Sequence, residues 1–235
     1  MIYMIHDIDK WMLNYMSNDN TYSYDDSLFS HYYYIDQISQ YSCKLNITTN
    51  YIQFNKLRTR FTNTNEYLEF ETCSEYMSKY TANNKSMMMN LDELLYIFEN
   101  YPGVEIVAHS HYHEPTILSC GINNKKNWKD QHFININPKL NNMLKTKIKF
   151  KYGSRLANIG VDEYINNRNK SDMIDFIHKD TNKMLEWFNK YLNYIPTSYC
   201  FPWNQSNDIF INIWKEYGFT TFYGSERQDI SELKC

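Results

Sequence analysis

Residues 105–115 read EIVAHSHYHEP, a short apolar strand that runs directly into three histidines. His109 and His113 are four residues apart, so on a single turn of backbone both imidazoles fall on the same side and can bind one metal ion. His111 points elsewhere on such a turn. Pro115 discourages a long helix here, so we expect only a short turn. This stretch predicts a metal centre at the end of a buried strand.

A second polar cluster, His6-Asp7-Ile8-Asp9, follows an apolar strand near the beginning of the sequence. Side chains at positions i and i+2 of a strand share a face, so Asp7 and Asp9 project together. In β/α proteins, ligands bind at the carboxyl ends of the strands. Two histidines and one carboxylate leave coordination positions open, as catalytic zinc and non-haem iron sites do. A further carboxylate beside such a metal can accept a proton.

Strand and helix patterns alternate along the chain, which indicates parallel β/α units. Helices are predicted over residues 27–43, 90–101, 172–192 and 208–217, with Asp26 or Ser27 capping the first and Asn90 capping the second. Strands are predicted over residues 2–8, 45–54, 104–108, 198–201 and 219–223. Residues 55–87 read as an insertion, and residues 116–170 as long loops around one or two short helices.

Length and composition narrow the class of protein. A chain of 235 residues suits one large domain over residues 1–235. The net charge of −3 gives no electrostatic argument for nucleic acid or an anionic membrane as partner. The five scattered cysteines favour a reducing compartment. Charged residues within the first ten interrupt any signal-peptide apolar region, so we expect a cytoplasmic or otherwise intracellular protein. The oligomeric state is left open.

Three short motifs resemble those of the polysaccharide deacetylases, the carbohydrate esterases with NodB homology. Residues 6–9 (HDID) resemble an Asp-x-Asp variant of the family's first motif, Thr-Phe-Asp-Asp-Gly. Residues 109–113 (HSHYH) match the second motif, His-Ser/Thr-x-x-His, in full. Residues 200–204 (CFPWN) match part of the third, Arg-x-Pro-Tyr/Phe-Gly. The motif order agrees from residue 2 to about residue 224.

The resemblance implies a distorted or incomplete (β/α) barrel that binds one divalent metal, with zinc favoured. It implies a hydrolase that removes an N-acetyl group from an amino sugar or glycan, using metal-activated water. By that similarity the metal ligands are Asp9, His109 and His113, and the general base is Asp7. Pro202 and Trp203 would lie beside the substrate, and a backbone N–H near Trp203 would be the oxyanion donor. His6, Ser110 and His111 would surround the ligands. Ser110 would shape the turn through a local hydrogen bond.

Two departures from the family pattern keep alternatives open. Cys200 stands where the third motif carries an arginine, and no histidine follows His178 to supply the family's late general acid. His111 and Glu114 are near enough in sequence to act as substitute acids. The first alternative is therefore a catalytically inactive carbohydrate-binding homologue. The second is a deformylase or cyclic-amide hydrolase on the same fold. The third is an interaction domain whose histidines are structural.

Overall fold

A computed structural model of the protein describes residues 2–5, 13, 16–55, 57–58, 87–122, 148–160, 167, 169–224 and 226–227. His6, Asp7 and Asp9 lie outside this part of the chain, and so does most of the predicted insertion over residues 55–87. The strands in chain order are β1 (Ile2–Ile5), β2 (Thr21–Tyr24), β3 (Ser42–Ile47), β4 (Val104–Ala108), β5 (Pro115–Ile122), β6 (Ile148–Ser154), β7 (Ser198–Cys200), β8 (Gln205–Ser206), β9 (Thr221–Tyr223) and β10 (Glu226–Arg227).

A six-stranded sheet with the order β1-β2-β3-β4-β7-β9 forms the centre of the fold. Every neighbouring pair in it is parallel. The sheet curls into a half-barrel, which confirms the predicted distorted or incomplete (β/α) barrel. Because the strands are parallel, all six carboxyl ends meet at one edge of the sheet. Loops that follow β2, β3, β4 and β7 are therefore neighbours in space.

The α-helices that accompany these strands are α1 (Phe29–Tyr33), α2 (Ile35–Ile38), α3 (Leu91–Asn100), α4 (Lys170–Leu192) and α5 (Asp208–Glu216). Asparagine side chains begin the three longer ones. Asn90 and Glu93 form a reciprocal capping box at α3, and Asn169 and Asn207 accept from backbone N–H groups at α4 and α5. The three predicted helices over residues 90–101, 172–192 and 208–217 are confirmed.

The core lies where α4 and α5 pack on the sheet. Its centre is aromatic: Tyr199 of β7 contacts Phe210 and Trp214 of α5, and Phe219 closes the group. Each of these four side chains is at most 1% exposed. Burying an aromatic side chain contributes roughly 1.5–3 kcal/mol, so this group fixes β7 and its following loop against the helices.

The first helix prediction needs correction. Residues 27–43 contain two short helices and the start of β3, and Leu28 is the N-cap of α1 without a side-chain cap. Asp26 or Ser27 as a cap is therefore wrong; the Ser27 hydroxyl instead accepts from the backbone N–H of Thr48 at 2.9 Å. The strand predicted over residues 45–54 is β3, which begins three residues earlier, at Ser42, and already ends at Ile47. β2 was not predicted at all.

Residues 116–170 also differ from the prediction of long loops with short helices. β5 and β6 form an antiparallel pair whose register runs from Pro115 opposite Ser154 to Ile122 opposite Ile148. The sequence of β6 carries a period-2 signal, because Lys149 and Lys151 alternate with the buried Phe150 and Tyr152. The abundance of Lys and Asn around it obscured this signal. Residues 123–147 lie outside the described part of the chain.

None of the helices in the described ranges combines the length and apolarity needed to cross a bilayer. The single-domain organisation over residues 1–235 and the intracellular location stay predictions.

Candidate active site

The candidate site lies at the carboxyl edge of the sheet, where the loops after β2, β4 and β7 meet. Asp25 and Asp26 follow β2 directly, His109 follows β4, and Trp203 lies in the short 3-10 turn Pro202–Asn204 after β7. β3 lies between β2 and β4 in the sheet. Thr48, in the loop after β3, is hydrogen-bonded both to Ser27 after β2 and to His109 after β4. Thr48 Oγ1 donates to the carbonyl of His109 at 3.1 Å. The order of the strands in the sheet therefore brings together site residues that are far apart in sequence.

Asp26, His109 and His113 form a compact group of metal-ligating side chains. Their ligand atoms all lie within 4.8 Å of one another. Oδ1 of Asp26 is 3.3 Å from Nε2 of His113 and 3.7 Å from Nε2 of His109. Ligands on a tetrahedral zinc with bonds of ~2.0–2.1 Å lie roughly 3.3 Å apart. Two imidazoles and one carboxylate at this spacing fit a divalent metal with an open position.

The ring of His109 is oriented by β7. Its Nδ1 lies 2.9 Å from the backbone carbonyl of Cys200. A carbonyl oxygen only accepts, so Nδ1 carries the hydrogen and Nε2 presents its lone pair toward Asp26. A backbone carbonyl on the far nitrogen is a usual way of orienting a metal-ligating histidine. His109 is 1% exposed, and this buried contact fixes the direction in which it can coordinate.

The backbone around the site is strained. Seven non-glycine residues in the described part of the chain have positive φ, and only Asn193, at the end of α4, lies elsewhere. The other six occupy the three loops of the site: Asp26, Ser27, Ser110, His113, Trp203 and Asn204. Left-handed backbone at a residue with a Cβ costs roughly 1–2 kcal/mol, and such conformations concentrate at functional sites.

A buried carboxylate on α4 accepts hydrogen bonds from the histidine loop, residues 109–113. Oδ1 of Asp180, on α4, accepts from the Ser110 hydroxyl and the Tyr112 N–H, both at 2.9 Å. Its Oδ2 accepts from the His111 N–H, also at 2.9 Å. Burial raises the pKa of Asp180 to about 6, and the three donors oppose that shift. The Ser110 hydroxyl also accepts from the N–H of His113 at 2.9 Å, which is the local hydrogen bond predicted for it.

Asp25 lies beside the metal-ligating group in a setting of neutral donors. Nδ2 of Asn46 donates to its Oδ1, and Sγ of Cys200 lies 3.8 Å from the same oxygen. Asp25, His109 and Cys200 form a second set with ligand atoms within 4.8 Å of one another. Burial and the nearby carboxylates of Asp25 and Asp26 raise the pKa of Cys200 well above its usual range, so it is a neutral thiol.

The other predicted site residues line the same loops. The indole of Trp203 stacks on His113, with ring centroids 6.1 Å apart and an interplanar angle of 25°. Pro202 is buried at the start of the 3-10 turn. Nδ1 of His111 lies 2.7 Å from Oγ1 of Thr49. Glu114, weighed above as a substitute acid, forms an ion pair with Arg155 at 2.5 Å.

The structure brings His109 and His113 together, and their role as metal ligands stays a prediction. Asp7 and Asp9 lie outside the described residues, and their roles stay predictions. Asp25, Asp26 and Asp180 were missed as site residues, although each left a signal. Residues 21–26 (TYSYDD) resemble a short strand followed by two aspartates, and Asp180 is a charged residue within the apolar stripe of α4.

Comparisons with known proteins agree with this architecture. No family model matches the sequence, and no curated protein matches it. The structure is similar to a de-N-acetylase from Aggregatibacter actinomycetemcomitans, with a TM-score of 0.52 and 15% identity over 95% of this chain and 71% of that chain. It is also similar to the BpsB deacetylase domain from Bordetella bronchiseptica, with a TM-score of 0.54 and 11% identity over 90% of this chain and 70% of that chain.

At 11–15% sequence identity these structural similarities establish the fold, and they agree with the resemblance that the motifs predict. The chain therefore has the (β/α) barrel fold of the polysaccharide deacetylases, in a divergent form.

Proposed function

We propose that the protein is a metal-dependent hydrolase that removes the N-acetyl group from an amino sugar or a glycan. The observation that carries this proposal is the convergence of Asp26, His109 and His113 at the carboxyl edge of a deacetylase-type sheet. The two similar structures are a de-N-acetylase and a deacetylase domain, which supports the same reaction class for this chain.

Asp26, His109 and His113 are the proposed ligands of one divalent metal. Zinc is favoured because an imidazole-rich set with one carboxylate suits it, although iron accepts the same donors. A bound metal supplies Lewis acidity to the amide carbonyl and to the attacking water. Asp26 replaces Asp9 in this role because the structure brings its carboxylate within 3.7 Å of both histidines.

Asp25 is the proposed general base, in place of Asp7. The water oxygen bonds to the carbonyl carbon while Asp25 takes a proton from it. The C–N bond then breaks as the proton held by Asp25 passes to the nitrogen, so that acetate and the sugar amine leave and Asp25 is a carboxylate again. Asn46 holds the Asp25 carboxylate in place through its amide. Trp203 bounds the site beside His113, where its ring can pack on a sugar, and a backbone N–H near it stays the proposed oxyanion donor.

The test is acetate release from N-acetylated amino-sugar oligomers, followed with an acetate-specific assay. We expect acetate from the wild type loaded with zinc, and background values from His109→Ala. Formate or a ring-opened acid from matched formamide and cyclic-amide substrates, without acetate, would contradict the proposal in favour of the second alternative.

The position of Cys200 favours one rival function, a homologue that binds carbohydrate without turnover. A neutral thiol stands beside Asp25 where the family pattern carries an arginine. This rival predicts that an N-acetylated oligomer binds the wild type in calorimetry while no acetate forms. It also predicts that the binding survives in His109→Ala.

A further inference from the structure

Asp180 is a buried carboxylate to which the proposed reaction assigns no role. It lies on α4 and is 0% exposed. The same helix buries an otherwise largely apolar stripe that includes Phe176, Ile177 and Met184. A carboxylate in such a stripe is costly unless its oxygens are hydrogen-bonded. Three donors meet that requirement, and all three come from the histidine loop.

These donors belong to Ser110, His111 and Tyr112, which are the residues between the two proposed histidine ligands. The contact with Ser110 continues to the second ligand, because the Ser110 hydroxyl donates to Asp180 and accepts from the N–H of His113. A chain of hydrogen bonds therefore connects α4 with the backbone of His113.

The loop needs external support because two of its residues have left-handed backbone. Ser110 has φ 74° and His113 has φ 51°. A residue with a Cβ adopts this region at a cost, so the surrounding contacts must hold the conformation. Asp180 accepts from every residue between the ligands, and its pKa of about 6 leaves it ionised at neutral pH, when it accepts most strongly.

We propose that Asp180 is a positioning residue that holds the loop over residues 110–112 so that His109 and His113 converge on one metal ion. This inference rests on the proposed function, since it assumes that the two histidines are ligands.

The test is the zinc affinity of Asp180→Asn, measured by competition with a chromophoric chelator. An amide keeps the size of the side chain, but in either orientation its NH₂ group faces at least one loop N–H. We expect zinc affinity to fall about 10–100-fold, the usual effect of losing a partner that orients metal ligands. The visible spectrum of the cobalt-substituted protein should change as well, because the ligand geometry shifts.

Thr181→Val is the matched control. Thr181 is the next residue on α4, is 0% exposed, and accepts from Nε1 of Trp214 at 2.7 Å. The substitution also removes a buried hydrogen bond, but on the core side of the helix. We expect it to lower the free energy of unfolding while zinc affinity and the cobalt spectrum stay unchanged.

Ser110→Ala tests the same chain of contacts if Asp180→Asn does not fold. It removes the link to His113 and leaves both N–H bonds to Asp180, so we expect a smaller loss of zinc affinity, about 10-fold. Zinc affinity at the wild-type level in both Ser110→Ala and Asp180→Asn would overturn this inference and leave the proposed function intact. The same would follow if Thr181→Val lost as much zinc affinity as Asp180→Asn. A wild type that binds no zinc would contradict the proposed function itself.

Discussion

Two neighbouring residues of β7 face two regions of opposite character. Tyr199 packs against Trp214 in the aromatic core, where the side chains are apolar or nearly so and fully buried. The carbonyl of Cys200, one residue later, holds His109 at an edge crowded with buried polar groups and left-handed backbone. None of the four aromatic core residues Tyr199, Phe210, Trp214 and Phe219 has positive φ, whereas six non-glycine residues in the three loops of the site do. The comparison indicates that the free energy contributed by burial in the core offsets the backbone strain in the loops of the site.

The largest effect should come from Asp25→Asn at the site. Loss of the proposed base should lower acetate release about 10²–10⁴-fold, because the amide cannot accept the proton. Zinc content and the urea unfolding midpoint should stay near wild type, since the side chain keeps its size. Activity within a few-fold of wild type would show that another group is the base, with Asp7 the first candidate.

The next largest effect should come from Phe210→Ala in the core. Phe210 is 0% exposed and packs against Tyr199, Phe201 and Trp214. We expect the free energy of unfolding to fall by ~3–5 kcal/mol through lost burial and a cavity. Urea denaturation measures this loss. Zinc affinity of the remaining folded protein should be unchanged, and a parallel loss of affinity would break the proposed separation of core and site.

The smallest effect concerns Asn193, the left-handed residue outside the site. It ends α4 with φ 47°. Asn193→Gly should be neutral or raise the free energy of unfolding by a few tenths of a kcal/mol, and Asn193→Ala should lower it by roughly 1 kcal/mol. Thermal unfolding of both variants checks this. Equal stability of the two would contradict the strain assigned to left-handed backbone throughout the molecule.

The long elements were predictable because their patterns are strong. α3, α4 and α5 combine an apolar face with an asparagine cap, and β4 is an apolar run between a turn and the histidines. β2 was missed because it has only four residues and lies among polar residues. The pairing of β5 with β6 was missed because it is not local in sequence.

The two histidines of the site were predictable because their spacing is local. Their partnership with Asp26 was not, because it depends on the strand order β2-β3-β4-β7, which no single segment encodes. The resemblance to the family drew attention to residues 6–9, whereas the structure brings Asp25 and Asp26, which follow β2, next to His109. The support from Asp180 depends on how α4 packs under the loop, which is a tertiary property.

The most direct test is the metal content of protein purified without a metal-binding tag, measured by elemental analysis for the wild type, Asp26→Ala and Asp9→Ala. We predict about one equivalent of zinc in the wild type and in Asp9→Ala, and a trace in Asp26→Ala, because a catalytic zinc needs its three protein ligands. Full zinc content in Asp26→Ala with loss in Asp9→Ala would contradict the assignment. A metal-free wild type that cannot be loaded with zinc would contradict the metal centre altogether.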